Sequence, residues 1–214
     1  MPKWVSVVLV IVAFFAIAAL WERRRVTAME AWRQAFGFAA IDPFVPNDHK
    51  PIQKLASLAT GADSSGLPWA SVMTGASNGT TVTFAELSYS PTAGHTSKWF
   101  TLAVWPEPNA RGPVVLGKGG RSVAGTFARA VSTSMGVASE EPVVLVGSLS
   151  VMGEPTIWRP WLTQKRQHAM DSWPHGGRFV FVDGYAGWIT EGLLSPARAD
   201  ELVAQVDAAR RALQ

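Results

Sequence analysis

The chain has 214 residues, a net charge of +3, 48% hydrophobic residues, ten Trp and no Cys. This composition excludes a disordered or collagen-like chain, a disulfide-stapled small protein, a thiolate metal site and a cysteine nucleophile. The length fits one ordinary domain.

The positive charge is concentrated at one end of the chain. Residues 26–214 balance to zero, whereas residues 1–25 carry a net charge of +3 from Lys3, Arg23, Arg24 and Arg25 against Glu22. A nucleic-acid-binding protein needs a basic face for the phosphates. Because the excess charge flanks an apolar segment and is absent from the rest of the chain, we expect no nucleic-acid partner.

The basic residues flank a segment with the length and composition of a transmembrane helix. In Trp4–Trp21, Ser6 is the only residue outside the apolar class, and no residue is charged. As a helix rising about 1.5 Å per residue, the segment is about 27 Å long, close to the ~30 Å hydrocarbon core of a bilayer. Indole rings favour the headgroup level. Residues 4–21 therefore predict a helix whose partner is the lipid bilayer, with five residues at the membrane interface: Trp4, Trp21, Arg23, Arg24 and Arg25.

Two other interpretations of this segment stay open. Ala16-Ile17-Ala18 is a small-x-small site suited to cleavage of a secretory signal, although the apolar run exceeds the usual ~7 to 15 residues and basic residues follow at once. A buried helix of a soluble protein is the second. For an uncleaved anchor, one Lys before the span and three Arg after it place the C-terminal part in the cytoplasm. We predict a single-pass protein, in the plasma membrane, with a cytoplasmic domain; the alternative is export after signal cleavage.

The rest of the chain divides into a linker region and one domain. Residues 1–25 form the anchor with its basic flank, residues 26–68 a juxtamembrane helix and linker, and residues 69–214 a globular α+β domain. In the linker region, helical spacing of apolar residues continues to Gly37, and a short amphipathic helix fits Pro51–Thr60.

The period of the apolar residues changes from helical to alternating at residue 69. Asn78-Gly79 favours a tight turn, and the β-prone runs around and after it predict an antiparallel meander of three strands: Trp69–Thr74, Thr80–Tyr89 and Lys98–Trp105. In the second strand, the face that carries Val82, Phe84 and Glu86 is more apolar than the other face.

Further strands are predicted in the second half of the chain. Pro113–Gly117 and the apolar run Pro142–Leu149 each have the length of one strand. The clearest hairpin signal is Asp183-Gly184, which joins the apolar runs Arg178–Val182 and Tyr185–Thr190.

Three helices are predicted in the domain. Two are Val123–Ser134 and Arg159–Trp173, the second of which stops before Pro174. The third begins after Ser195, a suitable N-cap, with Pro196 in its first turn. Its apolar residues recur at spacings of three and four: Ala199, Leu202, Val206, Ala209 and Leu213. The predicted fold class is thus α+β: one N-terminal transmembrane helix, then a domain with an antiparallel meander and hairpin sheet, packed helices and a C-terminal amphipathic helix.

One Gly-rich turn has the composition of an anion site. It lies between a predicted strand and a predicted helix and consists of Gly117, Lys118, Gly119, Gly120, Arg121 and Ser122. Gly lets backbone amides converge on an anion, while a helix N-terminus, Lys and Arg add positive potential. The turn is neither a P-loop nor a dinucleotide fingerprint, whose third Gly position holds Ser122. We favour the alternative, a flexible turn in which Ser122 caps the helix.

A possible metal or acid–base trio has a better structural explanation. His168, Asp171 and His175 share helical spacing, but Pro174 interrupts the helix before the last of them. We therefore interpret them as a solvent-exposed helix end, and no other pattern predicts a catalytic residue, a metal site or a cofactor.

A second cluster mixes aromatic and basic residues. Trp158 and Trp161 are followed by Lys165, Arg166 and Trp173, a composition seen in helices that lie on membrane surfaces. We favour the other interpretation, a helix whose apolar side packs on the sheet.

The layout of the chain resembles that of uncharacterised single-pass bacterial membrane proteins. It has a short N-terminal anchor with Arg just inside, a β-meander, and a Phe-Val-x-Val-Asp-Gly hairpin, residues 179–184, leading to a C-terminal helix. That group has no assigned activity, so the resemblance implies a layout and no functional residues.

These patterns support two functional hypotheses. The first is a single-pass membrane-anchored protein whose domain is a non-catalytic module that binds another protein or the membrane surface. The alternative is a membrane-tethered enzyme, or a receptor for a small anion, that uses the turn at residues 117–122. We favour the first, with the bilayer and an unidentified protein as partners.

Overall fold

The chain folds into one antiparallel sheet with helices on both faces. The computed structural model describes residues 3–41, 50–60, 69–89, 98–118, 144–171 and 177–213. Within these ranges the helices are α1 Lys3–Ala35, α2 Lys50–Thr60, α3 Pro155–Trp161, α4 Gln164–Asp171 and α5 Pro196–Leu213. The strands are β1 Ala39–Ile41, β2 Trp69–Ser77, β3 Thr80–Tyr89, β4 Lys98–Pro106, β5 Val114–Lys118, β6 Val144–Val146, β7 Leu149–Gly153, β8 Arg178–Val182 and β9 Tyr185–Glu191. The predicted α+β class is confirmed.

The nine described strands lie in the order β1-β2-β3-β4-β9-β8-β5-β7-β6, and every neighbouring pair is antiparallel. The predicted meander is present as β2, β3 and β4. The hairpin of β8 and β9 pairs with β4, so the meander and the hairpin form one sheet. Each of the two outer strands, β1 and β6, has three residues.

Two hydrophobic cores cover the two faces of this sheet. One core includes Phe84 of β3 and side chains of α1, α3, α4 and α5. The other includes Ala85 and Leu87 of β3 and side chains of α2, among them Leu55. The expectation that one face of β3 is the more apolar is therefore incomplete, since a helix covers each face. Glu86 is buried within β3.

Both predicted two-residue turns are confirmed. Asn78 and Gly79 have φ values of 45° and 74°, which a tight hairpin turn between β2 and β3 requires. Asp183 and Gly184 join β8 to β9, where Val182 pairs with Tyr185.

The described part of the apolar run Pro142–Leu149, residues 144–149, belongs to a hairpin and is not one strand. β6 ends at Val146 and β7 begins at Leu149, and Gly147 between them has a φ of 61°. Gly adopts this left-handed conformation without a steric penalty, so a Gly-Ser pair reverses the chain within the apolar run.

The predicted helix Arg159–Trp173 is also wrong in its bounds. Two short helices occupy this region, and Leu162 separates them with a φ of −81° and a ψ of 69°, outside the helical region. The side chain of Leu162 is buried. Its backbone carbonyl and that of Trp161 accept hydrogen bonds from side chains of α4, which satisfies the groups that the break exposes.

The C-terminal helix α5 agrees with its prediction. The backbone N–H of Arg198 donates to Ser195 Oγ over 3.4 Å at the start of the helix. Four residues of the predicted apolar stripe are buried: Ala199, Leu202, Val206 and Ala209. The predicted helix Val123–Ser134 lies outside the described residues.

Candidate functional site

Helix α1 is one continuous helix that lies in two different environments. Its most apolar 18-residue window has no buried residue. Later in the same helix, Met29 and Trp32 are buried in the core. The exposed half contradicts the interpretation as a buried helix of a soluble protein. By length and composition the helix is able to cross a membrane, as an anchor or as a signal sequence.

An ion-pair cluster joins the second half of α1 to the sheet. Arg25 Nη1 lies 2.7 Å from Glu86 Oε1, and Arg25 Nη2 lies 2.7 Å from Glu22 Oε1. The exposed fractions of the Arg25 and Glu86 side chains are 11% and 4%. A carboxylate as deeply buried as Glu86 needs such a partner, because its desolvation is costly.

The same cluster satisfies the backbone of the segment between β9 and α5. The N–H of Leu194 donates to Glu86 Oε1, and the carbonyl of Leu194 accepts from Arg25 Nη1, each over 2.7 Å. The other carboxylate oxygen, Glu86 Oε2, accepts from Ser71 Oγ over 2.7 Å. Both oxygens of Glu86 thus have donors, and α1, β2, β3 and the segment before α5 meet at this carboxylate.

The electrostatics of the cluster follow from these contacts. Arg25 lowers the pKa of Glu22 below its ordinary value of 4.5, mainly through the hydrogen bond between them. That same hydrogen bond raises the pKa of Arg25. About two turns further along α1, the hydrogen bond from Arg33 lowers the pKa of the exposed Glu30 to about 2. Glu22 and Glu30 therefore stay charged well below neutral pH.

Arg178 of β8 lies in a less polar environment elsewhere in the sheet. Burial lowers its pKa to about 10, and the nearby charge of Glu191 opposes this effect.

A second set of contacts joins α1 to the domain seven residues beyond Arg25. Trp32 Nε1 donates to Asp200 Oδ1 of α5 over 2.7 Å, and its ring packs on Phe36 and Phe38. Arg33 Nη1 donates to the carbonyl of Phe38 over 2.7 Å, just after α1 ends at Ala35. The predicted end of the helix near Gly37 is confirmed. Contacts at Arg25 and at Trp32 therefore fix the second half of α1 to the domain at two positions along the helix.

A groove of about 370 Å³ lies between α1 and the sheet next to this cluster. Its lining includes charged residues of α1, Ala40 of β1, and apolar residues of β2 and of the segment before α5. Trp99, at the start of β4, also lines it, with 39% of the residue exposed. The backbone carbonyl of Trp99 accepts from the N–H of Gly192 over 2.7 Å. We refer to this space as the α1 groove.

The predicted membrane-interface residues separate into two groups. The side chains of Trp4, Trp21, Arg23 and Arg24 are exposed on α1. Arg25, which the sequence grouped with the two preceding Arg, instead faces the domain and pairs with Glu22 and Glu86.

Two of the six residues of the predicted anion turn are described, and both belong to β5. Gly117 pairs with Ser150 and Arg178, and its carbonyl accepts from Ser150 Oγ over 3.1 Å. A Cβ at Gly117 would lie 2.9 Å from that hydroxyl oxygen, so the close approach of β7 explains the glycine. Lys118 ends the strand. Gly119, Gly120, Arg121 and Ser122 lie outside the described residues.

The other candidate side chains lie apart from the α1 groove. His168 is exposed on α4, and His175, like Trp173, lies outside the described residues. Among the residues that the structure describes, no group of three His, Cys, Asp or Glu could hold a metal ion. Trp158 is buried, and the centre of the Trp161 ring lies 4.3 Å from that of Phe181. These residues therefore pack on the sheet, as the favoured interpretation of the cluster predicts.

One feature of the sequence indicates this site, the position of Glu86 in β3. Glu86 alternates with Val82 and Phe84 on the more apolar face of β3, where a buried carboxylate needs a cationic or hydrogen-bonding partner. The partner, Arg25, is 61 positions away.

No protein family model, curated protein or solved structure matches this chain.

Proposed function

We propose that this chain is a single-pass membrane protein whose domain is a non-catalytic binding module that acts at the surface of the bilayer. The continuity of α1 is the observation that carries this proposal. The helix runs without interruption from the exposed apolar half to the half fixed by Arg25 and Trp32. A span that begins at Trp4 and ends at Trp21 would therefore hold the domain against the membrane at a fixed orientation.

The surface next to the span supports binding at the bilayer. Arg25 follows Trp21 by four residues, a rise of about 6 Å along the helix, so its partners lie close to the headgroup level. Trp99 is exposed at this end of the sheet. Trp is enriched where proteins meet the membrane–water interface, because its ring is apolar and its N–H is polar.

The contacts of Glu86 favour a structural role for this carboxylate over a catalytic one. A general acid or base needs access to the atom that it protonates or deprotonates. Both oxygens of Glu86 instead accept hydrogen bonds from groups that hold α1 and Leu194 in place. The carboxylate joins structural elements.

The side of the membrane and the kind of membrane are part of the same proposal. The exposed Arg23 and Arg24 directly follow the span, which favours a cytoplasmic domain and a protein of the plasma membrane. Cleavage after Ala18 would leave residues 22–35 of α1 on the domain but would release the domain from the bilayer.

Two measurements on the full chain test this proposal. Paired topology reporters fused after Gln214 should report the cytoplasmic side, and the intact mass of protein extracted from membranes should include residues 1–18. A chain that begins after Ala18, or a reporter active on the other side, would contradict the proposed anchor or its orientation. A photo-crosslinking residue at position 99 should capture lipid; a specific protein adduct there would favour a protein partner.

A further inference from the structure

The α1 groove begins where the apolar half of α1 ends. Its lining starts at Glu22, the residue directly after Trp21, and continues along the same face of the helix through Val26 and Met29. With residues 4–21 in a bilayer, as proposed above, the mouth of the groove lies at the level of the lipid headgroups. The lipids that surround the span are then the molecules nearest to it.

The charges of the groove favour a cationic group. Three carboxylates line it against two guanidinium groups: Glu22, Glu30 and Glu86 against Arg25 and Arg33. Each guanidinium already donates to a carboxylate, Arg25 to two of them and Arg33 to one. The lining therefore has an excess of one negative charge, and an anion would have to compete with these carboxylates for its donors.

The aromatic and apolar lining favours a cation that carries an apolar body. Trp99 is the aromatic residue of the lining, and the face of an indole ring attracts ammonium groups. Val26 and Leu193 supply apolar surface nearby. The exposed Arg23 and Arg24 lie on the same turn of α1 as Glu22, where they would attract a lipid phosphate.

We propose that the α1 groove binds the headgroup of a zwitterionic phospholipid from the surrounding bilayer, with its ammonium group in the groove beside Trp99. This inference rests on the proposed membrane anchor and adds the ligand class. The groove volume of about 370 Å³ lies in the range of small-molecule sites, ~300–1,000 Å³.

Two alanines of β1 offer a matched pair of variants. Ala40 lines the groove and pairs with Met73, whereas its neighbour Ala39 does not line it and points to the other face of the sheet. Both residues are exposed, so Ala40→Trp and Ala39→Trp add the same bulk to the same strand on opposite sides. A third variant, Trp99→Leu, keeps an apolar side chain but removes the aromatic face.

The test is native mass spectrometry of the full chain in detergent with equal amounts of phosphatidylcholine, phosphatidylethanolamine and phosphatidylglycerol. The wild-type chain and Ala39→Trp should retain one of the two zwitterionic lipids, phosphatidylcholine or phosphatidylethanolamine, at least tenfold more than phosphatidylglycerol. Ala40→Trp should lose this retention at least tenfold, and Trp99→Leu should lose the preference while its thermal unfolding stays cooperative. Preference for phosphatidylglycerol, retention by Ala40→Trp, or equal loss in Ala39→Trp would overturn the inference.

Alkaline extraction of membranes separates failure of this inference from failure of the anchor. If the wild-type chain is released from membranes by alkali, the proposed anchor is wrong and the lipid site falls with it. If the chain resists extraction but shows no lipid preference, the anchor stands and the lipid site is wrong.

Discussion

The two halves of α1 differ in how specific the structural requirements on each residue are. In residues 4–21, large apolar side chains are exposed and none belongs to either hydrophobic core, so the requirement is apolarity along the whole length. In residues 22–35, Arg25, Met29 and Trp32 each have a defined position against the sheet or against α5. One helix thus combines a general hydrophobic requirement with specific contacts, and substitutions in the two halves should have separable effects.

The largest effect is expected from Glu86→Ala. This change leaves Arg25 and the N–H of Leu194 without their buried acceptor, and removal of one partner of a buried ion pair costs about 3–5 kcal/mol. Urea denaturation of the full chain in detergent, followed by Trp fluorescence, should show this loss while membrane extraction stays unchanged. Arg24→Ala, on the exposed side of α1, should change stability by less than about 0.5 kcal/mol. Equal losses in both variants would contradict the specific role of the cluster.

The opposite pattern, weaker membrane attachment with unchanged stability of the domain, is expected from Val12→Arg in the middle of the apolar half. An Arg at the centre of a transmembrane helix costs about 2.5–3.5 kcal/mol of insertion free energy. The variant should be released from membranes by alkali to a greater extent than the wild type, yet its urea midpoint should be unaltered because Val12 is exposed and belongs to neither hydrophobic core. A lowered urea midpoint would show that the two halves are not separable.

A smaller effect is expected from Trp32→Phe. The substitution removes the hydrogen bond from Trp32 Nε1 to Asp200 and keeps an aromatic ring against Phe38, so we expect a loss of about 1.5 kcal/mol in the free energy of unfolding. Asp200→Asn keeps an acceptor oxygen and should cost less. The comparison fails if Asp200→Asn destabilises the protein more than Trp32→Phe.

The smallest effect is a pH dependence at Glu22. Its pKa is lower in the folded chain than its ordinary value of 4.5, so its contribution to stability is present above that value and is lost as the pH falls through the lowered pKa. At neutral pH the wild type should unfold at a slightly higher urea concentration than Glu22→Gln. This difference should shrink below pH 4.5, and a difference that grows in acid would refute the assigned direction.

Short-range signals predicted the parts of the fold that depend on neighbouring residues. Asn78-Gly79 and Asp183-Gly184 identified their hairpins because the turn conformation is a property of the pair itself. The order of strands depends instead on distant pairings, such as that of β5 between β7 and β8, for which no local pattern exists. The strand β1 was not predicted, since three residues are too few to show a period.

The site was only partly predictable for the same reason. A run of three Arg after an apolar segment is typical of a membrane flank, and Arg23 and Arg24 are exposed as that pattern indicates. Arg25 differs from them because the helical rotation of about 100° per residue turns it towards the sheet. Only the folded chain shows that Glu86 and Leu194 lie there.

The absence of a hinge in α1 has a mechanical consequence. Residues 3–35 contain neither Gly nor Pro, and the 33-residue helix is about 50 Å long. If residues 4–21 span a bilayer, as proposed, a bilayer thinner than the ~27 Å apolar half would tilt the helix to shorten its projection along the membrane normal. Since residues 22–35 of the helix are fixed to β3 and α5, the domain would rotate together with the helix. The thickness of the membrane would then set the angle between the domain and the membrane surface.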